Sequence, residues 1–142
     1  MKKKYFDTVY EEAKKAFNAG EIPVGCIIVK NNVIIARAHN KREKMNSVLG
    51  HAELLALQDA SKLLSNWRLE GCDVYVSLDP CPMCAAALAQ ARVRGIYTGV
   101  ESTNHDEKEI VNKIIPKKMK FISDLDVERS SSLLKNFFKN RR

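Results

Sequence analysis

The pattern of hydrophobic and polar positions changes its period several times along the chain, which predicts alternating helices and strands. Apolar residues recur at steps of three and four over residues 6–17, and this spacing predicts an amphipathic helix that ends near Gly20. The β-branched segments VGCIIVK and VIIARAHN then flank Asn31 and Asn32, which predicts a hairpin. Helical spacing returns in GHAELLALQDASKLL, residues 50–64.

The second half of the chain predicts a strand, a helix and a strand in succession. VYVSL at 74–78 leads directly into the alanine-rich segment PCPMCAAALAQARV, and GIYTGV follows. This order predicts two parallel neighbours joined by a right-handed crossover. A helix over 107–115, a short edge strand over 119–122 and a final helix over 127–139 complete the pattern. We therefore expect one α/β domain over residues 1–142, with helices on both faces of a mixed sheet.

The charge of the chain favours a polyanionic partner without establishing one. Lys and Arg number 24 and Asp and Glu number 17, for a formal net charge of +7. Much of the excess lies in residues 117–142, which hold eight basic and three acidic side chains. The first residues are basic but are not followed by an apolar run of signal length, and nothing downstream approaches a membrane span. We expect a cytoplasmic protein with no membrane partner.

Two of the four cysteines stand three residues apart in DPCPMCA. Without an export signal, thiols or metal ligands are expected rather than disulfides. Cys81 and Cys84 fall on one side of the first helical turn, and Pro82 suits the first helical position. The helix dipole there favours thiolates. The pair is typical of a redox centre or of zinc ligation, or it arises by chance, whereas Cys26 and Cys72 are expected to be small buried side chains.

The three histidines supply candidate partners for this pair. His39 ends a predicted strand and His105 lies in a polar loop, whereas His51 begins a helix and is followed two residues later by Glu53. One His and two Cys, with a fourth position left for water, would form an open, catalytic zinc site. H-x-E with P-C-x-x-C downstream is the signature of zinc-dependent nucleobase and nucleoside deaminases.

The chain also resembles one branch of that superfamily, the bacterial tRNA-specific adenosine deaminases, over most of its length. The matching segments are GEIPVGCIIV, HN at residues 39–40, HAELLAL, NWRL, VYVSLDPCPMCAAAL and LLKNFFKNRR. The resemblance implies a three-layer, cytidine-deaminase-like fold with a mixed sheet of about five strands. It also implies a homodimer, one zinc ion per chain and a tRNA substrate.

The same resemblance assigns roles to four residues. His51, Cys81 and Cys84 would bind the zinc ion, and zinc-bound hydroxide would attack C6 of adenine. Glu53 would serve as both general base and general acid. The implied reaction is hydrolytic deamination of adenosine to inosine at the wobble position of a tRNA anticodon.

Further residues are expected to hold the substrate. The resemblance implies that Asn40, Ala52 and Pro80 contact the substrate base. It also implies that the backbone N–H groups of Ala52 and Cys81 lie beside the reacting centre. Positive charge in the predicted loop after Asn40 and at the end of the last helix predicts contacts with RNA phosphates by Lys41, Arg42, Lys139, Arg141 and Arg142. For the basic residues at the end of the last helix, the alternative is a solvated terminus without an RNA contact. The apolar side of the last helix is expected to dock on the domain through Leu133, Leu134, Phe137 and Phe138.

The chain departs from the family pattern in three places. Asp79 stands where Glu is usual, and NSVLG precedes His51. Residues 101–120 read ESTNHDEKEIVNKIIPKKMK, where the family typically has an Asp, a Lys and several glycines that shape the RNA-facing wall. Two other functions remain open. A small-molecule deaminase acting on guanine, cytosine or a nucleoside would share the zinc site without needing a basic terminal helix. A zinc-stabilised binding module would have no use for Glu53.

Overall fold

The computed structural model describes residues 2–140. Twelve elements follow one another along these residues, which we number by type: α1 Lys3–Asn18, β1 Gly25–Lys30, β2 Val33–His39, α2 Arg42–Met45, a 3-10 helix Val48–Gly50, α3 Ala52–Leu64, β3 Cys72–Leu78, α4 Pro82–Gln90, β4 Gly95–Val100, α5 His105–Ile114, β5 Lys120–Ile122 and α6 Val127–Lys139.

The five strands form one mixed sheet in the order β2-β1-β3-β4-β5. Strand β1 is antiparallel to both β2 and β3, whereas β3, β4 and β5 are mutually parallel. Asn31 and Asn32 make the turn between β1 and β2 with positive φ angles of 51° and 65°, which asparagine tolerates well in a hairpin turn. Because β3 and β4 are parallel, their carboxyl ends lie at the same edge of the sheet.

Helices cover both faces of the sheet because the central strands are apolar on both sides. Ile27 packs with Phe6 of α1 in one buried cluster, while Ile28 lies in the other cluster with Ala56 of α3. Helix α1 approaches β1 so closely that a Cβ atom on Gly25 would meet the carbonyl oxygen of Val9. The expected α/β fold, with a mixed five-stranded sheet between helices, is confirmed.

Three local expectations need correction. The segment after Asn40, expected to be a loop, contains the short helix α2, because the Glu21 carboxylate accepts hydrogen bonds from the N–H groups of Glu43 and Lys44. His105 begins α5 rather than lying in a loop, and Cys72 is the first residue of β3 rather than preceding it.

The apolar side of α6 docks only in part. Leu133 and Phe137 are buried, and the Phe137 ring packs edge-on against Phe17 of α1 at 6.3 Å between centroids. Phe138, which was expected to dock as well, has 54% of its surface exposed. The helix rests on one apolar stripe, and Phe138 lies outside it. Among residues 2–140, no helix combines the length and apolar character that a bilayer span requires.

Glu12, buried in α1, joins this helix to β2. Its Oε2 accepts hydrogen bonds from Lys15 and Arg37, both at 2.8 Å, and its Oε1 lies 3.0 Å from His39 Nδ1. Burial alone would raise the pKa of Glu12, but the hydrogen bonds to Lys15, His39 and Arg37 outweigh it and lower the pKa to about 2. The Glu12 carboxylate therefore stabilises the fold at every pH at which this carboxyl group is also ionised in the unfolded chain.

We expect Glu12→Gln to lower the free energy of unfolding at pH 7 by on the order of 3 kcal/mol. Because the unfolded carboxylate takes up a proton first, the difference from the wild type should be constant above about pH 5 and shrink as the pH falls toward the folded pKa of about 2. Urea unfolding at several pH values measures this. Glu11→Gln, at an exposed neighbour that also bonds Arg37, is the control and should have little effect. An E12Q difference that grows on acidification would contradict the account.

Candidate active site

Two helices begin side by side at the edge of the sheet where β3 ends. His51 is the residue that precedes α3, and Cys81 is the residue that precedes α4. His51 Nδ1 lies 3.8 Å from Cys81 Sγ and 3.4 Å from Cys84 Sγ. The three ligand atoms all lie within 4.8 Å of one another. The structure thus brings together residues that are 30 and 33 positions apart in the sequence.

The spacing of these atoms fits a tetrahedral metal ion. A zinc ion with Zn–S bonds of about 2.3 Å and Zn–N bonds of about 2.0–2.1 Å separates its nitrogen and sulfur ligands by roughly 3.5 Å. The observed separations of 3.4 and 3.8 Å bracket that value. One nitrogen and two sulfur donors, with no fourth side chain from residues 2–140 in the group, match an open site.

The pKa values of the two thiols are shifted in opposite directions. A hydrogen bond from Cys84 lowers the pKa of Cys81 to about 5, with support from the backbone N–H groups at the start of α4 and from His51. The same hydrogen bond, together with burial, raises the pKa of Cys84. A thiolate is therefore present at neutral pH, and a cation that binds both sulfurs displaces the remaining proton.

Glu53 lies in the first turn of α3, and only 4% of its surface is exposed. Burial raises its pKa to about 7, helped by the negative charge of Cys81 and opposed by hydrogen bonds from its own backbone and from Cys84. A divalent cation beside it would move this pKa back down. A carboxyl group with a pKa near neutrality, within an apolar enclosure, can both accept and donate a proton.

His51, Glu53 and Cys81 line a pocket of about 150 Å³. This is smaller than the ~300–1,000 Å³ usual for sites that enclose a drug-sized ligand. The wall combines apolar and polar groups from four stretches of the chain: Ile22, Val24, Asn40, Arg42, His51, Ala52, Glu53, Leu78, Asp79 and Cys81. Of the residues expected to hold the base, Asn40 and Ala52 line this pocket. Pro80 lines a smaller cavity of about 140 Å³ next to it, which shares Leu78, Asp79 and Cys81.

The pocket wall at Asn40 is supported by Glu21, a buried carboxylate that was not predicted from the sequence. Asn40 donates from Nδ2 to the carbonyl of Ile22 at 3.2 Å and accepts from the N–H of Arg42 at 3.1 Å. This leaves one amide proton and one lone pair of its side chain for a ligand. Glu21 fixes the next turn by accepting the N–H groups of Glu43 and Lys44 at 3.0 and 2.8 Å. Its place in the GEIPVG segment was the only available signal.

Asp79 closes the opposite side of the site through a second network. Its side chain bonds Thr98, Ser123 and Lys108 and the backbone N–H of Ser102. Burial would raise the pKa of Asp79, but these hydrogen bonds, led by that from Lys108, hold it below its usual range. Lys108 was also missed, because a lysine on a polar helix is typical of a solvated surface.

The basic residues expected at the RNA interface take different positions. Arg42 lines the main pocket, whereas Lys41 lines a polar cavity on the His39 side of β2. Lys139 lines a groove of about 820 Å³ together with Phe138, Lys135 and Leu78. Because Leu78 lines both cavities, the groove adjoins the main pocket. Arg141 and Arg142 lie outside the described residues.

The remaining His and Cys residues are not part of the metal-ligand group. His39 is paired with Glu12, and His105 lies at the start of α5. Cys26 and Cys72 are fully buried in β1 and β3 as free thiols, as expected for small apolar side chains.

Comparisons with known proteins identify the family of this chain. The sequence model of the MafB19-like deaminases matches residues 1–142, so the chain is a member of a deaminase family. The tRNA-specific adenosine deaminase of Aquifex aeolicus (strain VF5) is 39% identical over 148 aligned positions, covering 100% of this chain and 97% of that protein. The Bacillus subtilis (strain 168) protein of the same name is 48% identical over 95 residues, or 67% of this chain and 59% of the relative. The chain therefore belongs to the tRNA-specific adenosine deaminase family.

Solved structures show the same fold. A structure from a study of A-to-I editing by tRNA:A34 deaminases at the wobble position of transfer RNA is 30% identical, with a TM-score of 0.85 over 93% of this chain and 99% of that one. The guanine deaminase of Bacillus subtilis is 33% identical, with a TM-score of 0.69 over 78% and 71% of the two chains. One scaffold thus serves both an RNA-directed and a free-base deaminase.

Proposed function

We propose that this protein converts adenosine to inosine at the wobble position of a tRNA anticodon by hydrolytic deamination. The observation that carries the proposal is the buried Glu53 beside the His51, Cys81 and Cys84 group, in a chain whose relatives deaminate tRNA. One zinc ion per chain would be held by those three ligands. When bound, it supplies a Lewis acid that lowers the pKa of water to roughly 7.

Glu53 is the proton carrier of this reaction. It accepts a proton from the attacking water and passes it to the purine ring as the C6–O bond forms. It then helps to protonate the amino group as the C6–N bond breaks, so that adenosine and water yield inosine and ammonia. Burial raises the pKa of Glu53 and so opposes the lowering by the cation, which suits a group that acts first as base and then as acid.

The pocket holds the base and little more. Asn40 has one amide proton and one lone pair available for the edge of the base. Ala52, at the first position of α3, has a backbone N–H without an intrahelical partner, and this group can face a polar atom of the ligand. At about 150 Å³ the pocket leaves the ribose, phosphates and neighbouring nucleotides outside. A base carried by RNA has to be flipped out of its stack to enter such a pocket.

The adjoining groove suits the rest of an RNA strand. Lys135 and Lys139 supply positive charge for phosphates, and Phe138 offers an exposed ring on which a base can stack. The groove meets the pocket at Leu78, so a strand can run from one to the other. Arg42 adds a cation on the opposite wall of the pocket.

A free-base deaminase is the second candidate. It is favoured by the likeness to the guanine deaminase of Bacillus subtilis and by the small volume of the pocket. The groove with its lysines and exposed Phe138 would have no role in such an enzyme. An RNA-directed deaminase has a role for both the pocket and the groove, and this function is therefore preferred.

Three further properties belong to the proposal. We propose that residues 1–142 form one deaminase domain that acts as a homodimer in the cytoplasm. Support for the dimer comes from exposed apolar side chains between Asn40 and His51, which a partner surface would cover: Met45, Val48 and Leu49.

We expect Glu53→Gln to keep the fold and the bound metal but to lose turnover by several orders of magnitude, since acid and base steps are each worth roughly 10²- to 10⁴-fold. Single-turnover inosine formation, measured beside metal content and circular dichroism, tests this. Glu109→Gln, at an exposed carboxylate on α5, is the control and should act like the wild type. Activity of the E53Q variant within tenfold of the wild type would remove Glu53 from the mechanism.

The substrate test compares RNA with free bases. The wild type should form inosine at position 34 of an anticodon stem-loop that carries adenosine there, and release no measurable ammonia from free adenosine, guanine or cytosine. Sequencing of the RNA detects inosine in the stem-loop, and an ammonia assay follows the reaction with the free substrates. Rapid ammonia release from guanine without inosine in the RNA would support the free-base deaminase instead.

A charge reversal tests the groove in the same assay. Lys139→Glu should weaken turnover of the stem-loop at low salt, and the deficit should shrink as salt rises because phosphate contacts are screened. Lys62→Glu, an equal charge change at the far end of α3, is the matched control. Equal effects of the two variants would exclude a local contact between Lys139 and RNA.

A further inference from the structure

An ion pair on the far side of the metal-ligand group links α5 to the turn that carries Cys81. Lys108 Nζ lies 2.6 Å from Asp79 Oδ2 and 3.3 Å from Ser123 Oγ. Only 18% of the Lys108 side chain and 1% of the Asp79 side chain are exposed. The Lys108 ammonium group also lies over the ring of Phe121, 4.4 Å from its centroid. A lysine enclosed to this degree has a fixed position, unlike a solvated surface lysine.

Asp79 uses both carboxylate oxygens in this network. Oδ1 accepts hydrogen bonds from Thr98 at 2.6 Å and Ser123 at 2.7 Å, and Oδ2 accepts the N–H of Ser102 at 3.1 Å as well as the Lys108 proton. These donors come from β4, from the segments that follow β4 and β5, and from α5. Four directions of hydrogen bonding leave the carboxylate no freedom to turn.

The orientation of Asp79 is passed directly to a metal ligand. Only Pro80 separates Asp79 from Cys81, and Pro82 follows, so ring constraints restrict the backbone on both sides of the cysteine. The N–H of Asp79 also donates to the carbonyl of Val100 at 3.1 Å, which pins the end of β3 to β4. The turn can therefore move only if the Asp79 network moves.

We infer that Lys108 is a positioning residue for the metal site: it neutralises and fixes Asp79, and through Asp79 and Pro80 it orients Cys81. The inference rests on the proposed function, because it assumes that Cys81 binds a metal ion. Of the donors to Asp79, Lys108 is the one that carries charge. Without it a buried carboxylate would keep only neutral donors, and the turn would have to open to admit water or a cation.

Two departures from the family pattern meet in this ion pair. Lys108 belongs to the segment 101–120, and Asp79 stands where Glu is usual. The shorter carboxylate and the lysine on α5 lie at a distance at which each satisfies the other. Groups that orient metal ligands in this way typically change metal affinity by about 10- to 100-fold when removed.

The test measures metal affinity rather than activity. The metal-free full-length protein is titrated with Co²⁺ in competition with a chelator, and the visible absorption of the thiolate-bound ion is recorded. Lys108→Met should bind Co²⁺ about 10- to 100-fold more weakly than the wild type and show altered absorption bands. Asp79→Asn combined with Lys108→Met should weaken binding by less than the sum of the single effects, because the two residues act as one unit. Lys113→Met, an exposed lysine on the same helix, is the control and should leave affinity unchanged.

Urea unfolding of the metal-free proteins separates positioning from general stability. If K108M loses stability but binds Co²⁺ with wild-type affinity and an unchanged spectrum, the lysine is merely structural and the inference is overturned. If K108M does not fold, Lys108→Arg, which keeps the charge, should fold and retain affinity closer to that of the wild type; failure to do so also overturns it. Absence of Co²⁺ binding by the wild type would instead refute the metal site of the proposed function.

Discussion

The close packing of α3 and α4 over one face of the sheet is the constraint from which the site derives its geometry. Ala52, Ala56 and Ala60 follow one another at four-residue steps on α3 and are fully buried in the same apolar cluster as Ala85 of α4. These small side chains let the helices lie close to the sheet and to each other. Because the two helices start at one edge, their unpaired N–H groups and their first side chains converge there. The ligand group, the buried acid and the pocket wall all follow from that convergence.

The same arrangement separates the chemistry from the recognition of the substrate. The pocket, with Glu53 in its wall, has room for a heteroaromatic ring, and under the proposed function its groups carry out the deamination. Discrimination between a free base and a base in RNA then depends on what lies outside, where the groove along α6 carries charge and an exposed ring. Family members that act on RNA and on guanine can accordingly share one scaffold. Under the proposed function, the groove rather than the ligand group would carry the recognition of RNA.

Local signals made much of this predictable from the sequence. Asn31 and Asn32 indicated the hairpin turn, and the H-x-E and P-C-x-x-C spacings indicated the ligand group, because each pattern reflects short-range geometry. Glu21 and Lys108 escaped notice because their partners are 22 and 29 residues away, and a charged side chain has no local pattern that marks it as buried. The exposure of Phe138 was missed for a similar reason, since helical periodicity does not tell which edge of an apolar stripe meets the sheet.

The claim at the centre of this account is that one metal ion is bound by two sulfurs and one nitrogen, with a position left open. X-ray absorption at the zinc edge, on protein loaded with zinc and assayed for metal content, measures this directly. We predict about one zinc ion per chain, with two sulfur neighbours at about 2.3 Å and two nitrogen or oxygen neighbours at about 2.0–2.1 Å. Three or four sulfur neighbours would mean a closed structural site that recruits Cys26 or Cys72. That result, or the absence of tightly bound zinc, would contradict the account.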